Sequence, residues 1–471
     1  MRTGSRLLGT MLGLTFAGTA TVRAEVKDPL PDSLSLGGVT VYATIDVGYA
    51  YQSNGAPLSS QLPGGLEYQA FTTTRNFQGS QSTITESGIE LSKIGLRVSE
   101  PVAGDFTLIA RTETGINPVS GQLVDACASM VSNGGKPQGQ QTANGDSSRC
   151  GQAFNGIIWG GMSHPLYGSL SIGRQQSLQL DALALYDPQT LSYAFSFLGY
   201  SGFNGGAGST EAARWDNSVR YAYQNGPGHV YVMYSNGGQD TGIFGKSYAA
   251  DVGGVAGHLS VDAVFEHVKG AVNLRSSFND VANPVPSPGL STYISDNTSY
   301  NLLGKYSFDV GDSAHKTKLT AYAGYTHIRK AHADYTGGTA QNNYAITVPI
   351  NINDPAQYNM EWLGARYALA SGWNFIGAFY HINQNSWSIG KGVSGHDNIG
   401  CSGAGLLCSG DFNEASLVVD YIINKHYDAY AGVNYSDVTD GLANGFKGTT
   451  TSGTSGSENQ TTIMFGFRIR I

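Results

Sequence analysis

The amino-acid sequence predicts an all-β fold: a closed transmembrane antiparallel β-barrel of sixteen strands, with short periplasmic turns and long extracellular loops. Three observations carry this expectation. Apolar and polar residues alternate with period two in many separate segments. The connections between those segments alternate between short and long along the chain. Charged residues make up only 13% of the chain, yet its mean hydropathy is −0.18. A barrel with one face toward lipid and one toward water explains that mixture, because the two faces cancel in the average.

The first segment is a separate object. Arg2 and Arg6 precede an apolar run from Leu7 to Ala17, and small residues then lead to Thr21-Val22-Arg23-Ala24. This is the order of an export signal, and the run is too short for a comfortable membrane-spanning helix. Residues 1–24 are expected to be removed, residues 25–37 to form an N-terminal periplasmic segment, and residues 38–471 to form the barrel. Removal of Arg2, Arg6 and Arg23 takes the formal charge from −8 to −11. That sign disfavours nucleic-acid binding. No other stretch approaches eighteen consecutive apolar residues, so strands must do any crossing of a membrane.

The first strand shows the pattern most clearly. Val39, Val41, Ala43, Ile45, Val47 and Tyr49 alternate with Thr40, Tyr42, Thr44, Asp46 and Gly48. At the far end Ile463, Phe465, Phe467, Ile469 and Ile471 alternate with Thr462, Met464, Gly466, Arg468 and Arg470. Fourteen more segments lie between: about 89–100, 105–116, 154–164, 167–175, 215–224, 228–237, 246–255, 257–268, 298–309, 315–329, 357–369, 372–387, 411–424 and 426–437. Seven connections are short: Pro101–Gly104, near Pro165, Asn225–Pro227, near Gly254, Val310–Ala314, Ala370–Ser371 and Asn424–Lys425. Eight are long: about 52–88, 117–153, 176–214, 238–245, 269–297, 330–356, 388–410 and 438–458. Outer-membrane barrels place every long loop at one end, and an even strand count puts both termini at the other. Sixteen strands also leave an aqueous lumen, where eight would be filled by side chains.

Several of these segments resemble Gram-negative general diffusion porins. Gly38-Val39-Thr40-Val41-Tyr42-Ala43-Thr44-Ile45-Asp46-Val47-Gly48 resembles the first strand of that family, Ser92-Lys93-Ile94-Gly95-Leu96-Arg97-Val98-Ser99-Glu100 the second, and Ala110-Arg111-Thr112-Glu113-Thr114-Gly115 the third. Gly168-Ser169-Leu170-Ser171-Ile172-Gly173-Arg174-Gln175 resembles the segment before the inward-folded third loop, and Asn217-Ser218-Val219-Arg220-Tyr221 the strand after it. The second half is similar by pattern rather than by motif, and the chain ends in Ile471 where a terminal Phe is usual in the family. The resemblance implies a homotrimer in the outer membrane of a Gram-negative bacterium. It also implies a third loop, about 176–214, folded into the lumen as a constriction.

Strand parity then places the charges. A Lys or Arg on the lipid face at mid-depth costs roughly 2–4 kcal/mol. With Ile94, Leu96 and Val98 outward, Lys93 and Arg97 face the lumen. By the same argument Arg111, Glu113, Arg220 and Arg366 point inward, while Arg174 is placed by the resemblance. These seven are the expected constriction wall, and Asp181 and Asp187 are the expected third-loop acids facing it. Opposed charges across a narrow section set up a transverse field that sorts ions and orients polar solutes.

Cys127 and Cys150 form one local pair and Cys401 and Cys408 another, and an even cysteine count in an exported chain suggests disulfides. No His or second Cys-x-x-Cys stands at ligand spacing beside them, so no metal or cofactor is expected there. No G-x-S-x-G, H-E-x-x-H or dinucleotide fingerprint stands in a credible context, and no catalytic residues are expected. A barrel enzyme would need a Ser–His pair at the lipid-facing rim, and an adhesive barrel a blocked lumen. The expectation is instead passive diffusion of small hydrophilic solutes and ions.

Overall fold

A computed structural model describes residues 34–53, 80–131, 148–199, 213–238, 244–274, 290–311, 317–334, 340–341, 344–352, 354–385, 409–440 and 456–471. The proposed export signal and the Cys401/Cys408 pair lie outside the described residues.

Sixteen strands close into one antiparallel barrel. They are β1 (Val39–Gln52), β2 (in two segments, Gln81–Glu86 and Lys93–Pro101), β3 (Thr107–Asn117), β4 (Ile157–His164), β5 (Gly168–Gln176), β6 (Arg214–Asn225), β7 (Gly228–Ser235) and β8 (Ser247–Ala256). The second half holds β9 (Leu259–Leu274), β10 (Leu290–Asp309), β11 (Lys318–His332), β12 (Ala356–Ala368), β13 (Trp373–Gln384), β14 (Gly410–Ile422), β15 (Tyr427–Thr439) and β16 (Gly456–Arg470). Each strand pairs with its sequence neighbour, and β16 pairs with β1 from Thr44↔Arg470 to Gln52↔Thr462. The C-terminal Ile471 takes part in this seam. Its N–H donates to the Ala43 carbonyl at 3.0 Å, and its carbonyl accepts from the Ala43 N–H at 3.2 Å. Closure leaves no sheet edge to face hydrocarbon.

The alternation of short and long connections holds. The turn expected near Gly254 lies instead at Gly257–His258, because β8 runs on to Ala256. Gly257 adopts φ +62°, which the tight connection requires and a side chain would resist. Leu363 and Leu417 are 62% and 65% exposed, and they belong to the apolar band toward lipid. Trp373, Tyr421, Tyr306 and Phe308 are exposed near the short turns, and Tyr49, Tyr300, Tyr325 and Tyr435 toward the long loops. These are interfacial girdles. Trp215 and Trp362 face the other way and are buried inside.

Two departures from a plain barrel position the site. First, β2 is interrupted over 87–92: its main segment begins at Lys93 rather than near residue 89 as expected, and its first segment, Gln81–Glu86, lies where a loop was expected. Asp46 on β1 accepts the Ile89 and Glu90 N–H groups, each at 2.8 Å, and the Tyr430 hydroxyl at 2.7 Å. The backbone of the break is therefore satisfied by a buried carboxylate rather than by a ladder. Second, β5 carries an irregularity between Gly173 and Gln175. Gly173 has φ +139°, and a Cβ there would sit 2.4 Å from the Ile158 carbonyl oxygen.

At the extracellular rim, helix α1 (Ala126–Val131) sits in the loop between β3 and β4, and Cys127 is bonded to Cys150. The Tyr344 hydroxyl donates to Asp125 at 2.7 Å, tying this loop to the short strand Tyr344–Asn351 between β11 and β12.

Candidate pore constriction

Helix α2 (Leu178–Tyr186) opens the third long loop and lies inside the barrel. Ser177 caps it, its hydroxyl accepting from the Leu180 N–H at 3.1 Å, while the Ser177 N–H bonds the Ala213 carbonyl across the base of the loop. Leu178, Leu180, Leu183 and Tyr186 pack on inward residues of the far wall, among them Val264, Leu303, Met360 and Trp362. Those wall positions face the lumen yet are apolar because the loop covers them, so burial there is driven by the same effect that builds a core.

Polar ties then fix the loop along the wall. The Gln179 N–H donates to Glu266 at 2.7 Å, and Trp362 Nε1 to the Tyr186 carbonyl at 3.1 Å. Gln189 reaches Ser416 at 2.9 Å, the Phe197 N–H reaches Glu414 at 2.9 Å, and Ser192 reaches the Gly88 carbonyl in the β2 break at 2.7 Å. Between Leu178 and Gly199 the loop thus follows the wall from β9 round to β14 and touches the β2 break at Ser192.

Asp187 does not face the passage, contrary to expectation. It is fully buried, and its carboxylate accepts from Tyr380 (2.5 Å), Ser196 (2.6 Å), the Leu191 N–H (2.7 Å) and the Gln189 N–H (3.1 Å). It holds Thr190 and Leu191 at φ +55° and +58°, where non-glycine residues rarely sit. Burial pushes the Asp187 carboxyl above its usual range, and the hydrogen bonds from Ser196 and Tyr380 oppose that shift.

The wall that the loop leaves uncovered carries the basic residues. Arg111 Nε donates to the Tyr42 hydroxyl at 2.8 Å, and its terminal nitrogen pairs with Glu113 at 3.0 Å. Tyr42 in turn donates to Glu113 at 3.1 Å. Arg97 and Arg111 lie over the Tyr42 ring at 5.6 and 5.4 Å. Such contacts hold a guanidinium by about 0.5–1 kcal/mol each without neutralising it. Lys93 pairs with Glu90 at 3.0 Å, Arg468 with Glu90 at 3.0 Å and Asp428 at 3.1 Å, and Arg470 also with Asp428. Among the described residues, Arg97 has no carboxylate within ion-pair distance, so it is the least compensated cation of this wall. Asp181 on α2 stands close enough for its charge to act on Arg111.

Of the expected wall residues, Lys93, Arg97, Arg111 and Glu113 come together. Arg220 and Arg366 point inward but hold the loop: Arg220 is ion-paired with Asp181, and Arg366 donates to the Pro188 carbonyl at 3.0 Å. Arg174 is a correction. It is 7% exposed and donates to the Gly156 carbonyl (3.0 Å), the Asn155 carbonyl (2.9 Å), the Ser148 carbonyl and Asp216 (2.7 Å). The irregularity at Gly173 turns it into the base of the neighbouring loop, where it acts as a clamp. Tyr42, Glu90, Asp428, Arg468 and Arg470 were not singled out from sequence, although all but Glu90 and Asp428 stand at inward parity on the two terminal strands.

The closed barrel of sixteen strands with an inward loop and a charged lumen agrees with the family that the sequence resembles. Residues 10–441 match the Gram-negative porins. The chain belongs to that family. Among solved structures, an anion-selective porin from Comamonas acidovorans aligns with a TM-score of 0.56 at 16% identity, covering 92% of this chain and 99% of that one. The outer-membrane-expressed OmpT of Vibrio cholerae aligns with a TM-score of 0.51 at 14% identity, covering 93% and 100%. Both likenesses concern the fold. No curated protein matches the chain. This porin is an outer-membrane channel for passive diffusion of small hydrophilic solutes and ions.

Proposed function

We propose that the porin sorts its solutes in the strip between α2 and the β1–β3 wall, with Arg97 and Arg111 as the positive side and Asp181 as the facing acid. The observation that carries this reading is the pair of guanidinium groups stacked on Tyr42, of which Arg97 has no carboxylate within ion-pair distance among the described residues. In a narrow, low-dielectric section opposed charges are screened less than in bulk water, so they act on every ion that passes. The test is reversal potential across a planar bilayer in a salt gradient. Replacing both residues (Arg97→Gln, Arg111→Gln) is expected to shift selectivity toward cations. An unchanged reversal potential contradicts the assignment.

Two further parts of the reading rest on the family and the sequence. Three copies assemble as a homotrimer, which native mass spectrometry of the extracted protein checks. Export removes residues 1–24, which intact mass of the outer-membrane fraction checks.

A further inference from the structure

We infer that His229, Asp251 and Asp262 form a binding site for a divalent transition-metal cation, with Zn2+ as the type ion, on the lumen wall near the periplasmic mouth. The residues stand on three adjacent strands, β7, β8 and β9. Register sets them together: His229 lies opposite Gly253, Gly253 lies opposite Asp262, and Asp251 is two residues further along β8 on the same face. His229 Nε2 is 3.4 Å from Asp262 Oδ1 and 3.6 Å from Asp251 Oδ1, and all three atoms lie within 4.8 Å of one another.

These distances are longer than those of a strong hydrogen bond and suit an ion shared by the three atoms. A metal about 2.1 Å from each tetrahedral ligand places those ligands about 3.4 Å apart. Both aspartates are 3% exposed, and His229 Nε2, Asp251 Oδ1 and Asp262 Oδ1 are each buried without a hydrogen-bond partner. Buried polar atoms left unpaired are costly, and a cation satisfies all three at once. An imidazole beside two carboxylates favours a first-row transition ion over Mg2+ or Ca2+, which take oxygen ligands.

The surroundings hold the set in place. The His229 ring stacks on Tyr231, with centroids 4.5 Å apart and planes 15° apart. A Cβ on Gly253 would come within 1.8 Å of Asp262 Oδ1, so the glycine leaves the space in which that carboxylate turns toward His229. The site is separate from the Arg97–Arg111 wall and shares none of its residues.

The probe is Zn2+ titrated calorimetrically into the purified, detergent-solubilised porin, with Co2+ absorption as a second readout. The expected result is one site per chain, with visible Co2+ bands of four-coordinate intensity. His229→Gln and Asp262→Asn should each weaken binding at least tenfold and abolish the bands, with circular dichroism confirming the barrel. Gly253→Ala keeps all three ligands and is expected to weaken binding by displacing Asp262. No Zn2+ binding by the unaltered porin overturns the proposal. So does binding that survives His229→Gln and Asp262→Asn, which would place the metal on other histidines. Neither readout depends on conductance, so the result is independent of how the constriction sorts ions.

Discussion

At the residue scale, one chemical type serves several jobs in this lumen, and the immediate neighbours decide which. Arg97 stacks on Tyr42 with no carboxylate within ion-pair distance among the described residues, whereas Arg174 spends its donors on three carbonyls and Asp216. Arg174→Ala is therefore expected to cost about 2–3 kcal/mol of stability by leaving buried acceptors unpaired. Ion selectivity should stay put, and urea unfolding with a parallel reversal-potential measurement separates the two effects. Parity along β2 and β3 made Lys93, Arg97, Arg111 and Glu113 legible from sequence, because an alternating strand between lipid and water leaves a charge one place to go. Arg174 was not legible, since the irregularity at Gly173 breaks parity just before it. Asp187 looked like any loop acid. Its four donors come from its own loop and from a tyrosine 193 positions away, and only folding brings that tyrosine near. The His229, Asp251 and Asp262 set escaped for the same reason: strand register assembles it, and no local spacing announces it.

At the scale of elements, the third loop is a second core laid against the barrel wall. Its apolar side chains explain why inward positions on β9 to β14 carry Val264, Leu303, Met360 and Phe412 where a bare porin wall would be polar. The Asp187 cluster locks the end of α2 to β13. Asp187→Ala leaves two hydroxyls and two N–H groups without their acceptor, each worth about 1–3 kcal/mol if it stays buried. Open-channel current noise is expected to rise in that variant as the loop loosens. The pH dependence has a definite sign. The docked carboxyl sits above the ordinary carboxylate value, so docking binds protons and tightens as pH falls through that range. Noise should therefore increase from acidic toward neutral pH in the native channel, and Asp187→Asn should flatten the dependence. A native trace that grows noisier on acidification contradicts this account. Much of the loop's placement was expected from sequence, but its anchoring in the β2 break was not. The Asp46 side chain that satisfies residues 89 and 90 reads in sequence as one more polar position on β1.

At the scale of the whole molecule, lipid and water define the two faces and the loops define the mouth. Leu363→Arg places a charge in the outward apolar band and is expected to cost roughly 2–4 kcal/mol, measurable as a lower urea midpoint in vesicles. Sixteen strands give a lumen wide enough to hold both the loop and an aqueous strip beside it. Whether solutes pass along that strip is tested most directly at Arg97. In a background with Cys401 and Cys408 replaced by serine, Arg97→Cys is exposed to a charged methanethiosulfonate reagent during single-channel recording. Each modification is expected to lower the current in a discrete step, while Arg174→Cys, buried in its loop base, leaves it unchanged. A current through Arg97→Cys that ignores the reagent would place the passage elsewhere in the barrel.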